Sequence, residues 1–288
     1  MKKKLSILLA STLLFASMNF INASAYTTSN WMGSLDQSKS LSQISIPGTH
    51  DSAARVETIS GTAKCQNLSI TEQLNSGVRY LDIRCRHIEN IFAIHHGMVY
   101  QKTNFGDVLN ECINFLHNNP SERILISIQE EYKSSDNTRG FDDTLMINYI
   151  TPTKNMWYTE DRIPTLEESK GKIVLIKKFN SNKISGITWD KLKIQDDFVV
   201  KDNNVKWNSI LNAYNSVKNS QNSNLLYINN TSGYKPLLFG IPSIPKVSDD
   251  INSRLRNYFN SNTKGNFGIT GMDFVDQDLS SKIIATNF

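Results

Sequence analysis

Two rhythms of apolar residues alternate along the chain. Short runs rich in Ile, Leu and Val read as strands at residues 44–46, 78–84, 91–94, 123–129, 172–179, 225–228 and 268–274. The first of these ends, on this pattern, at Pro47-Gly48. Between the strands come stretches with helical spacing. Phe105, Val108, Leu109, Cys112, Ile113 and Leu116 form one stripe, stopped by Asn118-Asn119-Pro120. Ser69-Ile70-Thr71-Glu72 has the form of a capping box and opens a short helix that stops near Gly77. Residues 251–259 and 279–285 predict two more helices. Strands alternating with helices over the whole length predict an α/β fold, a parallel sheet with helices outside, in one domain closed as a barrel. The connections at 132–158 and 180–198 are longer and less regular than an ideal barrel requires.

The N-terminus follows another logic. Lys2, Lys3 and Lys4 precede a largely apolar run at 5–15, and Ala23-Ser24-Ala25 closes the segment. A basic start, an apolar run too short to span a membrane and a small-x-small end predict a secretory signal peptide over residues 1–25. The domain is then 26–288, with Trp31 and Met32 as anchors of a polar lead-in. The whole chain has 31 Lys+Arg and 27 Asp+Glu; removing the three leader lysines leaves 28 against 27, a net charge of +1. A near-neutral domain makes nucleic acid a poor partner. About 260 residues remain, and a whole chain 39% hydrophobic and 20% charged suits one globular enzyme of barrel size, expected to be exported and extracellular. Cys65, Cys85 and Cys112 are an odd number with no CxxC spacing, so a zinc site is not expected and small buried residues are.

In such a barrel the functional side chains stand at the C-terminal ends of the strands. His50 and Asp51 follow the first strand, Asp82 and Arg84 share one face of the second, and His95 and His96 end the third. Gln129, Glu130 and Glu131, then Lys177 and Lys178, and finally Asp273 occupy corresponding places. Of five histidines, three lie at these ends; His87 and His117 sit in polar surroundings and are expected on the surface. Adjacent strand residues face opposite ways, so only one of His95 and His96 should enter the site. Two imidazoles across a site can take a proton from a hydroxyl and give one to a leaving oxygen. An arginine between them can hold a phosphoryl group, and a carboxylate can fix the tautomer of the base. Metal-free phosphodiester transfer fits this set. Unspecified hydrolase chemistry, an internal Asp82–Arg84 ion pair and a simple cap at His50 remain open on spacing alone.

Ser45-Ile46-Pro47-Gly48-Thr49-His50-Asp51-Ser52, Tyr80-Leu81-Asp82-Ile83-Arg84 and His95-His96-Gly97 together resemble the signature of bacterial phosphatidylinositol-specific phospholipase C. The similarity continues in order through Asn119-Pro120-Ser121-Glu122, Gly171-Lys172-Ile173-Val174-Leu175, Ile194-Gln195-Asp196 and Met272-Asp273-Phe274. The resemblance implies a distorted, incomplete (β/α)8 TIM-type barrel. It also implies cleavage of phosphatidylinositol to diacylglycerol and inositol 1,2-cyclic phosphate, with glycosyl-phosphatidylinositol anchors as a second candidate substrate. Carried over by motif, His50 is the general base oriented by Asp273, and His96 the general acid assisted by Asp51. Arg84, with Asp82 nearby, contacts the phosphate. Arginine at this position, where a calcium-using relative has an acidic residue, implies no metal and no cofactor.

The chain departs from that pattern at the headgroup. Gln129 stands where the family often has lysine, Lys178 where many members have arginine, and Phe198 where a tyrosine packs on the inositol; Asp196 is kept. Residues 55–67 lack the tryptophan of the family's membrane helix, leaving Val56 and Ile59 as apolar candidates there. Leu237, Leu238, Phe239 and Ile241, set between Gly and Pro, are better placed to enter a membrane surface, against an equal expectation that they pack inside the barrel wall. A monomer acting peripherally on phosphatidylinositol is expected. The alternatives are a metal-dependent glycerophosphodiester-type phosphodiesterase on the same barrel, and a secreted inositol- or glycan-binding module with a decayed site.

Overall fold

The computed structural model describes residues 26–220 and 224–288; the segment read as a signal peptide lies outside them. The strands are β1 (Ile46–Thr49), β2 (Tyr80–Ile88), β3 (Ile91–His96), β4 (Val99–Asn104), β5 (Ile124–Glu130), β6 (Trp157–Tyr158), β7 (Ile173–Lys177), β8 (Leu192–Gln195), β9 (Leu226–Asn230), β10 (Lys235–Pro236), β11 (Pro242–Ser243) and β12 (Ile269–Met272). The helices are α1 (Ile70–Asn75), α2 (Phe105–Asn118), α3 (Phe141–Leu145), α4 (Asn203–Lys218), α5 (Pro245–Ser261) and α6 (Gln277–Ala285). Eight strands run parallel in the order β6-β7-β5-β2-β1-β12-β9-β8. The two ends of this row do not pair with one another, so the barrel is incomplete. Near the gap, the segment before β8 touches β7 through a single parallel bridge, Ile176 to Ile187.

The period of two along each strand decides what lies inside. Tyr80, Leu125, Val174, Ile176, Leu192, Ile228 and Ile269 face the barrel interior, plugged from below by Trp31, Met32, Leu41 and Ile44. The alternate residues, such as Leu81, Ile83, Ile126, Ile128 and Leu175, pack outward against α1, α2, α4, α5 and α6. Going up each inward column, the apolar residue at the base gives way to a polar one at the mouth. The columns are Ile46-Gly48-His50, Tyr80-Asp82-Arg84, Leu125-Ser127-Gln129, Leu192-Ile194-Asp196 and Ile269-Gly271-Asp273.

Several elements differ from the sequence expectation. β1 runs through Pro47-Gly48 instead of ending there, because it pairs with β12 from Ile46 to Thr49. Gly48 serves close packing: a Cβ there would lie 2.7 Å from the Tyr80 ring. β3 and β4 are antiparallel additions to β2. Glu89 and Asn90 both take positive φ, +50° and +57°, and so make a tight hairpin without glycine. His87 is buried, not on the surface: its Nε2 is 2.9 Å from Thr144 Oγ1 and its ring meets Phe92 edge-on. His117, in contrast, is exposed. The expected capping box at Ser69 and Glu72 is formed in both directions.

The floor of the barrel carries a buried ion pair. Arg79 Nε donates to Glu122 Oε2 at 2.9 Å, both side chains being fully inaccessible. Glu122 also accepts from the backbone N–H groups of Met32 and Gly33, tying the lead-in to β2 and β5. Replacing Glu122 by Ala leaves the guanidinium without its counter-charge, so stability should fall by about 3–5 kcal/mol in denaturant unfolding. A loss below about 1 kcal/mol would mean that the carbonyls around Arg79 suffice without Glu122.

Candidate active site

At the mouth of the barrel the chain leaves β1 through a turn locked by buried polar side chains. The backbone N–H of His50 continues the β1–β12 ladder to Met272, and Gln66 Nε2 donates to the carbonyls of both His50 and Met272. Asp51 follows in a left-handed conformation, φ +38°, a strained place for a side-chain-bearing residue. Ser52 then donates its backbone N–H to Asp82, and Thr49, Ser52 and Gln73 join side chains beneath the turn.

This turn aims His50 at two partners. Its Nδ1 is 2.9 Å from Asp273 Oδ1, and its Nε2 is 2.7 Å from Arg84 Nη2. Arginine can only donate, so Nε2 holds a lone pair and the proton sits on Nδ1, facing Asp273. Asp273 Oδ2 accepts from the Gly233 backbone N–H at 3.2 Å. Gly233 is required there, with φ +155° and a Cβ position only 2.9 Å from the Phe198 carbonyl oxygen. Burial disfavours a charged His50, but the Asp273 carboxylate outweighs it and the net shift is upward, despite the opposing Arg84 charge.

Arg84 is the centre of the group. Its Nε and Nη2 both lie 3.3 Å from Asp82 Oδ2, and Nε is 3.7 Å from Asp51 Oδ2. Burial opposes the charge on Arg84, yet Asp82, Asp51 and Glu131 push its pKa well upward. Burial likewise opposes ionisation of Asp82, but Arg84 and then Lys178 hold its carboxyl well below the usual range. For Asp51, burial prevails over Arg84 and His96 and its pKa rises.

His96 presents the second imidazole. Its Nδ1 is 2.7 Å from the Ala63 carbonyl oxygen, which fixes the proton on that side. Asp51 Oδ2 is 3.8 Å from the same nitrogen, beyond hydrogen-bond reach, so it acts on His96 only through charge. His95 points away, as alternation requires: it is buried, stacked on Tyr132, with burial lowering its pKa. His50, Arg84, His96 and Asp273 line one cavity of about 410 Å³, together with Glu131, Asp196, Phe198 and Tyr234.

A family model described as "Phosphatidylinositol-specific phospholipase C, X domain" matches residues 38–179. The chain is 33% identical over 231 residues to the 1-phosphatidylinositol phosphodiesterase of Staphylococcus aureus strain Newman, covering 69% of this chain and 73% of that protein. It is 29% identical to the enzyme of the same name from Listeria monocytogenes, covering 91% and 86%. A solved structure of the Staphylococcus aureus phosphatidylinositol-specific phospholipase C, from work on modulating its membrane binding, superposes with a TM-score of 0.82. Its identity is 30%, over 91% of this chain and 98% of that one. The chain belongs to the phosphatidylinositol-specific phospholipase C family. This relationship fits the phospholipase reading and neither alternative.

Against that family pattern, not every residue singled out in the sequence enters the cavity. Asp51 and Asp82 lie beneath it, under Arg84. Gln129 is turned aside, its Nε2 donating to Glu131 at 3.1 Å, while Lys178 lies over the Trp189 ring at 5.0 Å in a neighbouring groove. Glu131 went unassigned in sequence; its other oxygen accepts from Gly97 N and steadies the turn after His96. Lys206 of α4 was also missed. It is buried, and its Nζ donates to Gln195 Oε1, Asp197 O and Asn230 O, clamping the loop that carries Asp196 and Phe198. Burial brings its pKa down to about 8.

The electrostatics around His50 can be read directly. In an Asp273→Asn variant the chief upward influence is gone, leaving burial and Arg84, which both disfavour the imidazolium, against the weaker pull of Asp82. The His50 titration followed by NMR should move to lower pH. An unchanged midpoint would remove Asp273 as the orienting partner.

Proposed function

We propose that the protein cleaves phosphatidylinositol to diacylglycerol and inositol 1,2-cyclic phosphate by general acid–base catalysis without a metal ion, after export as a monomer. The observation that carries this reading is the contact between His50 Nε2 and Arg84 Nη2, within one cavity that His96 also lines. In the free protein the guanidinium occupies the lone pair of the base. A phosphate entering the cavity takes over those N–H groups, because a charged oxygen accepts more strongly than a neutral nitrogen. His50 is then free to remove the proton of the inositol 2-hydroxyl.

The freed oxygen attacks the phosphorus atom of its own headgroup. No second reactant has to be brought in, which removes much of the entropic barrier. Charge gathers on the phosphoryl oxygens in the transition state, and Arg84, held by Asp82, offsets it. His96 gives a proton from Nε2 to the diacylglycerol oxygen as that bond breaks, and Asp51 supports its imidazolium. His50 ends protonated and His96 neutral, and proton exchange with water restores both. Arg84 supplies the positive charge that a metal would otherwise supply, so a chelator should leave the rate unchanged. Asp196 offers acceptors to the inositol hydroxyls and Phe198, half exposed, offers a flat apolar face. Gln129 and Lys178 stay outside this cavity, bound to Glu131 and stacked on Trp189.

Product release from phosphatidylinositol micelles tests this scheme. The wild type should form the cyclic phosphate in the presence of chelator, and His50→Ala or His96→Ala should each lose about 10²–10⁴-fold in rate. The rate should be bell-shaped in pH, with its acidic limb above the ordinary histidine value of 6.5 because Asp273 raises His50. No cyclic product, or a calcium requirement, would overturn the scheme.

Access to the lipid falls to the hairpin formed by β10 and β11. Between these strands Leu238 and Phe239 are 82% and 100% exposed, and Leu237 and Ile241 are more than 40% exposed. Packing inside the barrel wall, the other sequence expectation, does not occur. Phe239 and Gly240 take positive φ, +60° and +74°, so the turn thrusts Phe239 outward. Gly240 and Pro242 of the same hairpin line the catalytic cavity, so an inserted tip would set the mouth against the membrane. Replacing Leu238 and Phe239 by Ser should weaken binding to phosphatidylcholine vesicles by about tenfold or more. Cleavage of a soluble short-chain phosphatidylinositol below its micelle concentration should be unaffected; equal vesicle binding would place the contact elsewhere.

A further inference from the structure

Cys65 stands among the reacting groups, yet the mechanism has no use for it. The residue is fully buried, and its Sγ lies 3.9 Å from Nδ1 of His96. Asp51 completes a triangle: Oδ2 is 3.8 Å from the same nitrogen, and the three ligand atoms all lie within 4.8 Å of one another. A four-coordinate ion with bonds of roughly 2.0–2.3 Å needs ligand atoms roughly 3.3–3.8 Å apart, so little movement is required. The Ala63 carbonyl oxygen, 3.9 Å from Sγ but only 2.7 Å from Nδ1, is the hydrogen-bond partner that Nδ1 would exchange for the metal.

A second observation is independent of the cysteine. Asp51 is fully buried, and neither of its carboxylate oxygens has a hydrogen-bond partner. Buried carboxylates rarely lack one, and here the unused acceptors face the thiol and imidazole. Cys65 also lies within 4.8 Å of ligand atoms of His50 and Asp273. Those two are already committed to each other at 2.9 Å, so the spare ligand capacity is on the Asp51 side.

We propose that Asp51, Cys65 and His96 form a site for a soft divalent cation, Zn²⁺ or Cd²⁺, whose binding switches the enzyme off. The proposal deepens the assignment of His96 as general acid and rests on it. As the metal–sulfur bond forms, the Cys65 thiol releases its proton to solvent. His96, doubly protonated in its general-acid form, releases its Nδ1 proton to solvent and gives the lone pair left on that nitrogen to the metal. What remains is a neutral ring with a proton on Nε2. A neutral imidazole is far too weak an acid to protonate the departing diacylglycerol oxygen. The thiolate and the Asp51 carboxylate offset the ion's charge beside Arg84. Ca²⁺ and Mg²⁺, which need several oxygen ligands, find only one carboxylate and one carbonyl here.

Titration of the full chain with Cd²⁺ tests the site. It is followed by the ultraviolet thiolate-to-metal charge-transfer band and, in parallel, by cyclic phosphate release. Band and inhibition should rise together in the wild type, Zn²⁺ should inhibit likewise, and Ca²⁺ and Mg²⁺ should not. Cys65→Ala, or Cys65→Ser should the first variant fold poorly, should remain active, lack the band and be at least about tenfold less sensitive to either metal. Asp51→Asn should weaken the band and Asp273→Asn should keep it. No band in the wild type, a band that survives loss of Cys65, or a band lost in Asp273→Asn but kept in Asp51→Asn would overturn the proposal. The band reads metal binding whatever the lipid activity, so failure of the site and failure of the catalytic assignment are distinguishable.

Discussion

A single buried guanidinium sets the terms for the mouth of this barrel. Arg84 is 17% exposed and cannot shed its charge, so the fold must supply counter-charge close by. Asp82 does so from two residues earlier on the same inward column, with Ser127 and the Asp51 backbone N–H on its remaining acceptor sites. The same guanidinium then dictates the tautomer of His50, since its nitrogen partner must accept. It also keeps negative charge on a floor that would otherwise favour neutral carboxyls. His50, Arg84 and the carboxylates around them thus form one connected electrostatic unit, and moving any member changes the protonation of the others.

Much of this was legible because β-strands alternate. Asp82 and Arg84 are two apart and share a face; His95 and His96 are adjacent and do not. The apolar runs of β5 and β7, buried on both sides, announced a parallel sheet. The limits of legibility are equally physical. β3 carries an ordinary strand pattern, and its reversal against β2 rests on the positive φ at Glu89 and Asn90, while β4 turns back on β3 through Gly97, φ +55°. α4 escaped notice because its buried stripe of Ile210, Tyr214 and Val217 begins with a lysine. A charged residue on the inner face breaks an apolar pattern, and Lys206 is tolerated only because three oxygens from the β8 and β9 ends receive it. His87 has polar neighbours in sequence but aromatic ones in space.

The supporting residues were the least visible of all. Gln66, Glu131, Gly233 and the Ala63 carbonyl each act by one or two hydrogen bonds, on the backbone of His50 and Met272, on Gly97 and Gln129, on Asp273 and on His96 respectively. None has a distinctive residue type, and apart from Glu131 and Gln129 none is near its client in sequence. Gln66 and Asp273, for instance, both serve His50 from opposite ends of the chain. Motif spacing finds groups that do chemistry. Groups that aim them are found only when the backbone brings them together.

The division of labour between mouth and hairpin follows from the charge balance. Residues 26–288 carry 28 Lys+Arg against 27 Asp+Glu, and a net charge of +1 gives little attraction to an anionic surface. On the proposed reading, apolar area must therefore hold the protein at a bilayer, and the exposed tip of the β10–β11 hairpin, whose backbone conformation forces Phe239 out, is where such area is concentrated. That tip adjoins the cavity but shares no side chain with the Arg84 cluster. Membrane residence and phosphate chemistry can consequently vary separately, the first through a few apolar side chains and the second only through a set of charges that must change together.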